Sequence, residues 1–183
     1  MKWTTAGLAI LLLTQSAAAD EPQTTSEDVK INLREGTWKD VTTLVQASRG
    51  KVVIVDLWST ACLPCVEEFP RLVELQKRLG ERVVGVSFNL DYAGIRSKPP
   101  TYYRPRVEKF LKKEKAELHN FLCTDEAIEV MDALEILSIP AVYVYDRNGK
   151  LVKRFDESTL KDGEDKAFTY EKDINPLVKK LLN

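Results

Sequence analysis

The segment Lys51–Trp58 reads Lys-Val-Val-Ile-Val-Asp-Leu-Trp, an apolar, largely β-branched run broken only by Asp56. Such a run offers no polar face to water, so it predicts a strand covered on both sides of a sheet. Arg82–Leu90 (RVVGVSFNL) is a second run of the same kind. Strands buried on two faces belong to sheets sandwiched between helices, which restricts this chain to the α/β class. The first run ends within a few residues of two cysteines, Cys62 and Cys65, that open a helical pattern.

The remaining segments agree with that class. Thr37 followed by Asp40 predicts a helix N-terminus, with Trp38, Val41, Leu44 and Val45 at helical spacing and Gly50 at its end. A helix is expected from about Cys62 to Leu79, kinked at Pro70 and capped by Gly80. A loop over Asp91–Tyr103 leads into a basic amphipathic helix over Val107–Lys115, then a short strand over Leu118–Cys123. Thr124 caps a helix to about Leu137, with Ile128, Met131, Leu134 and Ile136 in register. Ala141–Tyr145 and Lys150–Phe155 form a hairpin across Asn148-Gly149, and a last helix runs from Pro176 to Leu182. Strands alternating with helices predict a mixed sheet flanked by helices. At 183 residues one ordinary domain is expected, with a core that needs no disulfide staples.

Composition narrows the function. A net charge of −1 is not that of a nucleic-acid binder, and 44% hydrophobic residues exclude global disorder. One His excludes zinc sites built mainly of His, and three Cys are too few for a disulfide scaffold. Residues 1–19 read as a signal peptide: Lys2 supplies the positive charge, Ala6–Leu13 the apolar region and Ala17–Ala19 the small-residue cleavage site. The apolar run is far short of the roughly 20 residues that span a bilayer, so cleavage after Ala19 and export are expected over a membrane anchor. The mature chain then works in the periplasm or another extracytoplasmic space, where disulfides persist. Residues 20–35 form a loose arm with an edge strand expected at Val29–Leu33, and 36–183 the folded domain.

The chemistry lies in Asp56–Cys65. Two cysteines three apart in a helix's first turn share one face. Cys62 sits where free N–H groups and the helix dipole favour a thiolate, and Cys65 lies one turn deeper and better shielded. That division suits thiol–disulfide exchange, with an exposed attacking thiol and a protected resolving one. Pro64, early in the helix, costs no hydrogen bond and stiffens the turn. Three other readings compete, one of them a chance spacing, which the placement of the pair between a buried strand and a helix disfavours. A structural disulfide would close a loop so small that it adds only about 2 kcal/mol. A metal site would have to recruit His119 and Cys123, and Cys-rich zinc sites show two close ligand pairs. Neither a metal nor an organic cofactor is expected.

At these residues the chain resembles the thioredoxin superfamily, and most of all exported TlpA-like and ResA-like thiol–disulfide oxidoreductases. The resemblance rests on Asp56, Trp58, Cys62-Leu63-Pro64-Cys65, Glu68-Phe69-Pro70 and Ile139-Pro140. It implies a thioredoxin-like fold, with one extra strand–helix unit between the Cys-x-Pro-Cys helix and a cis-proline at Pro140. It also implies catalytic roles for Cys62, Cys65 and Asp56, with Cys62 and Cys65 as the redox-active disulfide. Trp58, Leu63, Pro64, Ile139 and Pro140 would be substrate-binding. A buried carboxyl prefers to be neutral, so Asp56 is expected to exchange a proton with Cys65. A cis Pro140 would leave the Ile139 backbone free to pair with an extended substrate.

The chain departs from the pattern at Ala61, where a Trp is common, and at Val66, where a basic residue is frequent. Glu67 and Glu68 follow, and no His lies between the cysteines, so a reducing centre is expected. Cys123 reads as a buried inert thiol and His119 as a strand-edge residue. The basic stretch Arg96–Lys115 reads as a solvated face, with docking to an acidic partner as the alternative.

The expected protein is therefore an exported, monomeric protein-disulfide reductase. Its partners would be a protein disulfide substrate and a separate membrane-linked electron donor, with no nucleic acid. The resemblance implies apocytochromes as one substrate class. Two rivals are a thiol peroxidase and a non-catalytic thioredoxin-fold module that binds a partner or copper.

Overall fold

A computed structural model describes Met1, residues 30–157 and residues 168–183. The predicted signal peptide, most of the N-terminal arm and much of the acidic stretch after Asp156 lie outside the described residues. The run at Lys51–Trp58 forms strand β2 (Val52–Trp58), buried at every position. The second run forms β3 (Val83–Asn89), also buried throughout and parallel to β2. Around them lie β1 (Leu33–Gly36), β4 (His119–Cys123), β5 (Ala141–Tyr145) and β6 (Leu151–Phe155). The sheet has six strands in the order β1-β4-β3-β2-β5-β6, parallel from β1 to β2 and antiparallel across β5 and β6. This is the mixed sheet that the sequence predicts.

Period-two alternation divides the side chains of β2 between two layers. Val53, Val55 and Leu57 pack with Val41 and Val45 of helix α1 (Trp38–Ala47) and Val130 of α4 (Ala127–Ala133). Val52 and Ile54 face the other way, onto Leu72 and Leu75 of α2 (Leu63–Leu79) and Val178 of α5 (Asn175–Leu182). Trp58, on that same face, joins Cys65 and Phe69 of α2 and Val107 and Leu111 of α3 (Pro100–Lys113). Asp56 lies between Ile54 and Trp58 in this alternation and therefore faces the α2 layer. Helix α1 starts as expected: the Asp40 carboxylate accepts from the Thr37 N–H at 2.7 Å and from its hydroxyl at 2.9 Å. The hairpin turn is also as expected. Gly149 takes a left-handed φ of 74°, and Asp146 Oδ1 accepts from the N–H groups of Asn148 and Lys150.

Three expectations need correction. Among the described residues the edge strand lies over Leu33–Gly36, later than the expected Val29–Leu33, whose first residue lies outside the described residues. Its inward positions are Leu33 and Gly36, and a Cβ at Gly36 would come within 2.8 Å of the Phe121 ring, so a glycine holds what would otherwise read as an apolar position. Helix α3 starts at Pro100, within the segment expected to be a loop. A proline at the first helical position costs no hydrogen bond, and Tyr103, Val107 and Leu111 form one buried face. Helix α4 is shorter than expected, running from Ala127 to Ala133. Glu135 turns left-handed at φ 54°, the Ile136 N–H closes on the Met131 carbonyl at 3.0 Å, and Ile128 is exposed.

Between α2 and Pro140 lie β3, α3, β4 and α4, the two strand–helix units that the resemblance implies. Among the described residues, no helix is long and apolar enough to cross a membrane.

Candidate active site

Helix α2 begins where β2 leaves the sheet, and Cys62 is its N-cap. Cys62 and Cys65 are joined as a disulfide across the first turn, with Cα atoms 5.3 Å apart. Cys65 is buried, Cys62 is partly exposed, and Leu63 and Pro64 between them face solvent. The Cys65 N–H points at Cys62 Sγ at 3.2 Å. When the disulfide opens, that N–H and the helix N-terminus favour negative charge on Cys62. Cys62 Sγ also lies 3.5 Å from the Ile139 carbonyl oxygen, and the Ile139–Pro140 peptide bond is cis. The structure thus brings Cys62, Cys65, Leu63, Pro64, Ile139 and Pro140 to one place. Trp58 differs from expectation. It is fully buried, donates from its indole N–H to Ser87 Oγ at 2.8 Å, and stacks against Phe69 and Phe110. It supports the site from behind and presents no surface to a substrate.

The loop from β2 to Cys62 is tied down by a residue that the sequence did not single out. Asp91 is buried and accepts from Ser59 Oγ at 2.6 Å, Thr60 N at 2.8 Å and Thr60 Oγ1 at 2.6 Å. Arg106 of α3 closes the set with Nε 2.6 Å from Asp91 Oδ2. Burial alone would raise the Asp91 pKa. The hydrogen bonds from Ser59, Thr60 and Arg106 outweigh it and hold the carboxyl below its usual range. A signal for Asp91 existed: β2 and β3 are parallel neighbours, so the residues just past their C-terminal ends must meet.

Asp56 is buried beneath the α2 layer, and its Oδ2 accepts from the Tyr170 hydroxyl at 2.8 Å. Burial pushes its carboxyl up to about 7; the Tyr170 hydrogen bond opposes that, and the charge of Glu68 adds to it. Tyr170 belongs to a π-helical turn, Tyr170–Ile174, that leads into α5. No local pattern marks it as part of the site, because it comes 114 residues after Asp56. Cys123, the third cysteine, packs in the opposite layer, and burial drives its thiol up to about 12. His119 is exposed at the start of β4.

A disulfide at the head of the helix after β2, facing a cis-proline at the start of β5, is the arrangement of a thioredoxin-like protein. Solved structures agree on the fold. The thioredoxin domain of a thiol-disulfide oxidoreductase from Bacteroides vulgatus superposes with a TM-score of 0.53 at 19% identity, covering 75% of this chain and 83% of that one. A thiol-disulfide isomerase from Corynebacterium glutamicum gives 0.53 at 14% identity, covering 77% and 85%.

Within that class, the chain belongs to the AhpC/TSA family, which its residues 23–154 match. Among curated relatives, the thiol-disulfide oxidoreductase ResA of Bacillus subtilis is 28% identical over 106 residues, 57% of this chain and 52% of ResA. The thioredoxin-like protein YneN of the same organism is 28% identical over 101 residues, covering 50% and 58%. The chain thus spans about half the length of the curated relatives it matches.

Proposed function

We propose that this protein is an extracytoplasmic thiol–disulfide oxidoreductase that reduces disulfides in other proteins. The observation that carries the proposal is the Cys62–Cys65 disulfide, with Cys62 partly exposed beside the Ile139 carbonyl and Cys65 buried behind it. The similarity to thiol-disulfide oxidoreductases named ResA supports it. In the dithiol form the Cys62 thiolate attacks one sulfur of a substrate disulfide. A Cys62–substrate bond forms, and the substrate's other sulfur leaves as a thiolate and takes up a proton. Asp56 accepts the proton of Cys65, whose thiolate then attacks Cys62 Sγ. The Cys62–Cys65 bond forms, the mixed disulfide breaks, and the second substrate sulfur leaves with its electron pair and takes up a proton. Two electrons have passed to the substrate, which is now a dithiol.

Leu63, Pro64 and the cis-Pro140 segment would flank the substrate sulfur, with the Ile139 backbone aligning an extended substrate. A separate membrane-linked donor would return two electrons to the centre, and apocytochrome cysteines are one substrate class that the family resemblance implies. The export signal read at residues 1–19 supports the extracytoplasmic assignment.

The test is reduction of insulin disulfides with a chemical thiol as electron source. Wild type is expected to accelerate precipitation of the insulin B chain, and Cys62→Ser to abolish the effect. Cys65→Ser is expected to accumulate a mixed disulfide, whose partner in an extracytoplasmic extract identifies the substrate. Equal rates for wild type and Cys62→Ser would overturn the proposal, and hydroperoxide turnover in place of insulin reduction would redirect it to a peroxidase.

A further inference from the structure

Tyr170 touches two carboxyl groups near the redox centre. Its hydroxyl donates to Asp56 Oδ2 at 2.8 Å, and its backbone N–H donates to Glu68 Oε2 at 3.2 Å. Glu68 lies one helical turn after Cys65, so it shares the face of α2 that carries the buried sulfur. Asp56 lies on the sheet face beneath that helix. One residue from the C-terminal turn therefore joins the strand side and the helix side of the centre.

The ring and the hydroxyl of Tyr170 do different things. The ring is fully buried among Leu72, Leu75, Phe168, Ile174 and Val178, and a phenylalanine would fill that place equally well. The hydroxyl has no part in that packing. Burial, and then the neighbouring Asp56, drive its own ionisation far above the ordinary range, so it remains a donor. A donor aimed at a carboxyl favours the ionised form, whereas the nearby Glu68 charge favours the neutral form. The strands on either side of β2 bring no titrating group opposite Asp56: Ser87 stands across from it on β3 and Val142 on β5. Among the described residues, Asp56 Oδ1 meets no hydrogen-bond donor, which leaves one oxygen for an incoming proton.

We infer that Tyr170 is a positioning residue of the redox centre: its hydroxyl keeps Asp56 able to accept the Cys65 proton, with Glu68 held beside it by the same residue's backbone. The C-terminal turn thereby sets the pH at which the resolving thiol can be activated. This inference rests on the oxidoreductase reading for its consequence, but not for its test.

The test uses the full-length oxidised protein, in which Cys62 and Cys65 do not titrate. The infrared band of the protonated carboxyl is followed against pH, and Asp56→Asn identifies the band. In wild type its midpoint is expected at about 7. Tyr170→Phe is expected to raise the midpoint by about one pH unit, the shift for a lost hydrogen bond to a charged group. Replacing Tyr170 by 3-fluorotyrosine, a stronger donor of nearly the same size, is expected to lower it, and so is Glu68→Gln, which removes the like charge. In the reduced protein the acid limb of insulin reduction is expected to move in the same directions.

If Tyr170→Phe folds and leaves the midpoint in place, the inference is overturned. If that variant does not fold, an unchanged midpoint in the fluorotyrosine protein overturns it. Should wild type fail to reduce insulin at any pH, the proposed function falls, while the infrared titration still decides the role of Tyr170.

Discussion

Once the disulfide opens, one backbone N–H and a helix N-terminus favour negative charge on Cys62, with Glu67 and Glu68 following on the same helix. Strongly oxidising centres surround that sulfur with further positive charge, and none is adjacent in this sequence. Its potential is therefore expected near that of thioredoxin, about −270 mV, and equilibration with glutathione buffers measures it. A value near about −120 mV would contradict the reasoning. Cys123 gives a simpler expectation: the oxidised native protein should show no thiol to Ellman's reagent at neutral pH, and one after denaturation.

Asp56 makes stability depend on pH. Its folded pKa of about 7 exceeds the usual 3.8, so the native state holds a proton that the unfolded state releases. Stability from this group is full below about pH 4 and falls as pH rises to about 7. Asp56→Asn should therefore slow turnover yet raise stability, by on the order of 4 kcal/mol at pH 8 and little at pH 4, read from urea midpoints across that range. A pH-independent difference would refute the assignment. Asp56 was legible because it breaks an apolar run, and Cys62 and Cys65 because they stand three apart where a buried strand gives way to a helix. Trp58 was misread because a large aromatic beside a cysteine motif does not disclose which way it points.

Among the elements, β2, β3, α1 and α2 were legible because their signals are local: unbroken β-branched runs, a Thr–Asp cap and a glycine stop. Helix α3 was placed late because Pro99-Pro100 reads as a loop until the buried face at Tyr103, Val107 and Leu111 is recognised. The edge strand was misplaced because glycine carries no hydrophobic signal. The loop before Cys62 depends on two elements at once, since Asp91 follows β3 and Arg106 comes from α3. Asp91→Ala should lower stability by about 2–3 kcal/mol, mostly through unsatisfied hydrogen bonds, because Arg106 is itself half exposed. It should also slow insulin reduction by loosening the approach to Cys62. The Asp91 pKa is depressed, so its contribution is complete above the usual value of 3.8 and is lost as pH falls below it. Urea denaturation at pH 7 and pH 3 checks both statements, and equal losses at the two pH values would count against them.

At the scale of the molecule, the α/β layering followed from composition and periodicity, whereas closure by the C-terminal segment did not. Periodicity reports which face of α5 is apolar, but not that the turn before it reaches beneath the cysteines. Only the folded sheet order, with β5 and β6 returning beside β2, brings Phe168 and Tyr170 against Leu72 and Leu75. Deleting residues 168–183 should therefore do more than expose an apolar patch: it lets water reach Asp56 and removes the burial that most raises its pKa, so the acid limb of whatever insulin reduction survives should move to lower pH.

The 114-residue separation between Asp56 and Tyr170 also imposes an order in time. A chain made from its N-terminus presents Cys62 and Cys65 long before Tyr170 exists. A nascent or clipped chain would thus carry both sulfurs without a tuned proton acceptor, and readiness for exchange becomes a mark that the segment bearing Tyr170 has been made and docked.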